Sequence, residues 1–352
     1  HAEGSNTITT GSHSHAEGIR TRTVGQYSHA EGSSSVAFGT ASHAEGRATL
    51  ANGNFSHAEG VGGTVSGTGA HGEGGVVVAS GDYSHAEGQA SSFGDYSHAE
   101  GIGTTQGPYS HAEGIRTVSK GYYSHAEGDG SDTYATASHA EGNNTEARGD
   151  YSHTEGSSSI TYGLSSHAEG INTIASGSYT HAEGQNSLAI GIAAHSEGRY
   201  TSASGNYSHA EGNTTQASGY ASHAEGANTI ASGQNSHAEG SSAQATGTGA
   251  HAEGLGTTAS GNQSHAEGTN TEAQALHSHA EGSFTVTSQR YAHSEGDRTL
   301  ASGIGAHAEG LLVTASGDSA HGEGNNTDAT GDYSHAEGLS SISSGEYSHA
   351  EG

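Results

Sequence analysis

Four residues, His-(Ala, Gly, Ser or Thr)-Glu-Gly, return 26 times in a chain of 352 residues. Twenty-three of the 25 intervals between them are 14 residues long; the exceptions, His85 to His98 and His98 to His111, are 13. A unit this short cannot hold a pair of helices or bury a face by itself, so it must stack on its neighbours. Two short strands joined by tight turns use up the length at about 3.3 Å per residue. The repeat therefore predicts an all-β fold, a parallel β-solenoid or β-roll with one 14-residue turn and two short strands per repeat. No linker interrupts the register, which predicts a single continuous solenoid segment over residues 1–352. The chain opens at His1 and closes at Gly352 inside the pattern, with no signal peptide, and so reads as a fragment of a longer fibre protein.

Numbering each coil from its His, residues 167–180 show the full unit. His167 is at position 1, Ala168 at 2, Glu169 at 3, Gly170 at 4, Thr173 at 7, Ala175 at 9, Gly177 at 11, Tyr179 at 13 and Thr180 at 14. Gly, Ala and Ser or Thr each recur after seven residues, so the coil is two similar halves. Gly at 4 and 11 suits corners where φ is positive or a Cβ cannot fit. Position 4 never varies, whereas position 11 lapses at Ala135, Ala275 and Gln289. Strand alternation sends the Ala of positions 2 and 9 inward and predicts a thin interior. His at 1 and Glu at 3 then share one outer face. Positions 8 and 10 share the other and vary freely, as in Ile174 and Ser176, Glu146 and Arg148, Gln216 and Ser218. A uniform face beside a variable one predicts that the uniform face meets a partner.

That face is the candidate site, a subunit-interface ladder. Its first pairs are His15 and Glu17, His29 and Glu31, His43 and Glu45, His57 and Glu59, His71 and Glu73, His85 and Glu87, His98 and Glu100, and His111 and Glu113. It continues with His125 and Glu127, His139 and Glu141, His153 and Glu155, His167 and Glu169, His181 and Glu183, His195 and Glu197, His209 and Glu211, and His223 and Glu225. The last are His237 and Glu239, His251 and Glu253, His265 and Glu267, His279 and Glu281, His293 and Glu295, His307 and Glu309, His321 and Glu323, and His335 and Glu337. At a coil spacing of about 4.8 Å, bare carboxylates would repel their neighbours by roughly 3.5 kcal/mol at an effective dielectric of 20. The motif supplies one imidazole per carboxylate, able to donate a hydrogen bond when neutral and to cancel charge when protonated. A formal charge of −29 against 28 His makes such cancellation nearly complete in principle.

Composition then bears on what else is needed. Leu, Ile, Val and Phe make up about a tenth of the chain, too little for the core of a globular domain of this length. Self-association across the uniform face, in a homotrimer whose ladders converge on one axis, covers the motifs and lets every layer repeat one satisfied ring. A dimer or a larger assembly obeys the same chemistry.

Other functions find less in the residues. Without Cys there is no disulfide framework or thiol nucleophile, nine Lys and Arg argue against nucleic acid, and no apolar run is long enough to span a membrane. No cofactor is expected; the alternative is a divalent metal or other ions along the His–Glu ladder. Position 12 stacks carboxylates at Asp318, Asp332 and Glu346, a glycosidase-like spacing, but no insertion builds a cleft around them, and no enzymatic activity is expected. Thr at position 7, as at Thr145, Thr173 and Thr229, gives a single rank where an ice-binding surface would need two exposed ones. Tyr recurs at position 13, with Ala, Gly and Ser replacing it in no evident pattern, and is read as covering seams between turns or chains. The two short coils are expected to lose a residue after Ser92 and after Thr105, flattening the outer strand and leaving the ladder in phase.

The period, together with Ser-His-Ala-Glu-Gly at 28–32 and Thr-Ile-Ala-Ser-Gly at 173–177, resembles the head repeats of trimeric autotransporter adhesins of the YadA type. That resemblance implies a left-handed parallel β-roll that trimerises, sits outside the cell and binds a host receptor or glycan. Similar His-Ala-Glu-Gly runs occur in phage-type tail-fibre proteins, which implies a virion fibre as the alternative. The chain departs from the adhesin motif in one respect: His and Glu stand where aliphatic residues usually face the trimer axis.

Overall fold

A computed structural model describes residues 1–352 as two compact units, His1–Ala175 and Ser176–Gly352. Each is a parallel β-solenoid without helix, at one coil per repeat. In a representative coil of the second unit, the strands are His223–Ala227 and Ile230–Ala231. They pair in parallel, position on position, with the coil before: His209 opposite His223, Glu211 opposite Glu225, Gln216 opposite Ile230. Hydrogen bonds then run from coil to coil, as from His223 N to Ser236 O at 2.9 Å and from Ile230 N to Ala243 O at 2.9 Å.

The interior is a column of small side chains. Ala224 and Ala231 are fully buried, and so are Thr229 and Ser236 of positions 7 and 14. The Ser hydroxyl of position 14 donates to the carbonyl of Gly at 11, as from Ser236 to Gly233 at 2.8 Å, which closes the turn. This space holds a larger residue only where a partner shrinks. Val65 and Val77 are buried, and a Cβ on Gly72 would lie 2.7 Å and 3.1 Å from their methyls. Val313 stands in the same relation to Gly322, at 2.8 Å. The two His-Gly-Glu-Gly variants of the motif are therefore compensations for valine in a core sized for alanine.

The two Gly positions differ physically. Gly226 of position 4 has φ +105°, and a Cβ there would fall 2.1 Å from the carbonyl oxygen of Gly240. Gly at position 11 has an ordinary φ and is favoured by the close approach of the next coil alone, and Ala135, Ala275 and Gln289 stand there in three coils. Non-glycine residues take positive φ at two further corners, positions 6 and 13. Asn228 (φ 57°) and Tyr207 (φ 60°) turn their N–H groups back to the preceding coil, Asn228 N to Asn213 O at 2.9 Å and Tyr207 N to Ile192 O at 2.8 Å.

The short coils correct the expected position of the missing residue. Ser91 and Ser92 stay opposite Val78 and Ala79, so nothing is lost after Ser92. The register shifts instead between Ile102 and Thr104, which oppose Ile115 and Val118. The residue missing there is the left-handed one of position 6, which Arg116 (φ 57°) supplies in the next regular coil. A chain that does not reverse at this corner needs one residue fewer, and the outer strand keeps its length. The ladder stays in phase as expected, with His85 opposite His98 and His98 opposite His111.

Candidate functional site

Position 1 begins the longer strand, and the alternation that buries Ala at 2 throws His and Glu outward side by side. Within each unit the imidazoles form a stack. In the first unit His57 and His71 lie 4.8 Å apart between centroids with their planes 2° from parallel. In the second, His223 and His237 lie 4.8 Å apart at 3°. The carboxylate of the same coil approaches Nε2, at 3.6 Å in His57–Glu59, 3.5 Å in His223–Glu225 and 3.1 Å in His335–Glu337. Only the tightest of these is a hydrogen bond between well-placed atoms. Elsewhere, as in His29, His57, His98, His209 and His265, Nε2 is closed off from solvent and has no hydrogen-bond partner, although the ring as a whole is about one-third exposed.

These surroundings favour the neutral ring. Burial first, and neighbouring imidazoles second, hold His57, His85, His98, His111, His139, His195, His209, His265, His279 and His321 below the usual histidine range, against an opposing pull from nearby Glu. Of the two ways an imidazole can serve the carboxylate, charge cancellation is thus the disfavoured one within a single chain. A stack of like rings at this spacing resists becoming a stack of cations.

The remaining candidates fall into place. The Thr rank of position 7 is inside, with Thr145, Thr173 and Thr229 fully buried, so it presents no surface to ice. The aspartates of position 12 are coil-to-coil staples: Asp82 Oδ1 accepts from Thr68 N at 2.8 Å, Asp332 Oδ1 from Asp318 N at 2.9 Å. Asn54 and Asn206 do the same for Thr40 and Ile192, and an acceptor there meets an N–H that the strand ladders leave over. Tyr at 13 is exposed, and over the first coils its replacement follows a pattern. Aromatic and small residues alternate through Tyr27, Ala41, Phe55, Gly69 and Tyr83, and the ring of Tyr83 lies across Gly69, where a Cβ would sit 2.8 Å from it. Beside the short coils the alternation gives way to a run of stacked rings, Tyr83, Tyr96, Tyr109 and Tyr123, at 5.2, 5.1 and 5.0 Å.

One cluster escaped the sequence reading. At position 10 of four successive coils, Lys120, Tyr134, Arg148 and Tyr162 interleave, with Lys120 Nζ 3.9 Å from the Tyr134 ring centre and Arg148 over both tyrosines. Glu146 and Asp132 answer them, Glu146 accepting from Arg148 at 2.6 Å and Asp132 from Tyr134 at 2.9 Å. Burial and that hydrogen bond push the Tyr134 hydroxyl up to about 12. The signal was available, since alternation of cation and aromatic at a 14-residue spacing can be read directly once the coil is numbered.

The class these features define is a tandem-repeat parallel β-solenoid with ranks of identical side chains. The YadA head domain repeat, described as two copies of its unit, matches residues 24–42, 30–56, 168–194, 182–208, 210–236 and 252–271. Those stretches of the chain are YadA-type head repeats. Both short coils and the cation–aromatic cluster lie outside the matched stretches. No curated protein matches the chain.

Proposed function

We propose that the chain is a shaft or head segment of an extracellular, surface-exposed fibre in which three copies bring their His–Glu faces together on a common axis. One observation carries this reading. The uniform face holds a column of Nε2 atoms without hydrogen-bond partners beside carboxylates that are one-third to one-half exposed. Polar groups kept identical from coil to coil, and left without a hydrogen bond by their own chain at His29, His57, His98, His209 and His265, are what a rotationally symmetric interface would satisfy once and repeat. The second face, with polar, apolar and charged residues in no order, has the variability of a solvated surface. Light scattering on the purified chain should give the mass of three copies. A set of His→Ser substitutions at His209, His223, His237 and His251 should weaken that assembly, while Gln216→Ser and Ser218→Ala should leave it intact. A monomer at all accessible concentrations would end the proposal.

A further inference from the structure

We infer that the ladder is a linear array of sites for divalent transition-metal ions of the zinc type, each made by imidazole nitrogens of two adjacent coils and the carboxylate between them. His43, Glu45 and His57 form one such set and His57, Glu59 and His71 the next, each with its ligand atoms within 4.8 Å of one another. The Nε2 atoms of His43, His57 and His71 point into these sets buried and without a hydrogen-bond partner. An imidazole nitrogen held beside a carboxylate oxygen needs a cation between them, either a proton or a metal. The 3.6 Å between His57 Nε2 and Glu59 Oε2 is close to the roughly 3.3 Å that separates two ligands of a tetrahedral ion bound at about 2.0–2.1 Å. Two imidazoles and one carboxylate favour zinc, nickel or copper over calcium or magnesium, which take all-oxygen sites.

The stacking sets the limits. Parallel rings aim their lone pairs in parallel, so adjacent imidazoles must tilt toward each other to share an ion. The ladder admits such a tilt, because His321 and His335 stand at 52° with centroids still 4.7 Å apart. Each ring is about one-third exposed, which leaves it an edge on the solvent side about which to turn. Because His57 belongs to two sets and its Nε2 can serve one ion, neighbouring sets exclude each other. Filling therefore stops at one ion per two coils.

The experiment is a titration of the full chain, stripped with EDTA, with Zn2+ by calorimetry, and metal counting after dialysis. The expected result is saturation near one ion per two coils. The variant His15→Gln, His29→Gln, His43→Gln and His57→Gln should lose about two ions, with its circular dichroism in EDTA unchanged. If that variant does not fold, Glu17→Gln with Glu45→Gln should lower affinity at the same two sites. Uptake of one ion or none per chain, or uptake unaffected by either variant, overturns the inference. It shares the ladder with the proposed trimer but not the number of chains. Ions counted on a monomer leave it standing and remove the trimer, and a trimer in EDTA that takes up no zinc does the reverse.

Discussion

Each coil has two strands built on the same half-repeat, and they tolerate change very differently. The strand that begins at His keeps His, Glu and Gly in every coil with a small residue at position 2, whereas the strand around position 9 keeps only a buried residue there, most often Ala, and accepts Ile230, Gln244, Thr258 or Glu272 beside it. The backbone explains half of this. Gly at position 4 is locked by a positive φ and by a carbonyl in the next coil, while the corresponding Gly at 11 is constrained by contact alone. The other half, the constancy of His and Glu, has no backbone cause, since both side chains point outward. Conformation fixes the glycine, and chemistry outside the coil fixes its neighbours.

The contrast is easiest to break at the glycines. Gly226→Ala should cost more than about 3 kcal/mol, from left-handed strain together with a backbone clash, and Gly233→Ala clearly less; urea midpoints of the two variants decide. An equal loss would mean that the two corners are alike after all. Next in size is the core compensation. Gly322→Ala should destabilise by roughly 1–3 kcal/mol, and Val313→Ala on top of it should restore much of the loss, a coupling that a double-mutant cycle measures.

Acid sharpens the comparison from the ladder side. The ten histidines held below their usual range bind fewer protons folded than unfolded once the pH falls below 6.5, the unfolded value. Stability is therefore full above pH 6.5 and lost as the pH falls from there toward the folded values. The melting temperature should already decline between pH 6.5 and 5, before Glu protonates near its reference value of about 4. A melting temperature flat over that interval would show that the rings do not repel protonation. The smallest effect belongs to the outer edge. Asp82→Ala should cost about 1 kcal/mol and speed hydrogen exchange at Thr68 N, whereas Ser232→Ala on the variable face should stay within about 0.5 kcal/mol.

The period alone determined the coil, its two strands, the inward Ala and the paired outward His and Glu, because each follows from strand alternation within a fixed length. The same numbering could have exposed the aromatic–small alternation at position 13 and the Lys120–Tyr134–Arg148–Tyr162 cluster. What only the tertiary structure decided depends on the distance between coils. That distance places the left-handed corners at 6 and 13, moves the missing residue of the short coils to a corner, and turns Asp82 and Asp332 into staples. It also buries ring against ring, which holds His57, His98, His209 and their like below the usual histidine range. A repeat shows which residues share a rank, but how near successive members of that rank come, and so what charge they can carry, is settled by the packing of one coil on the next.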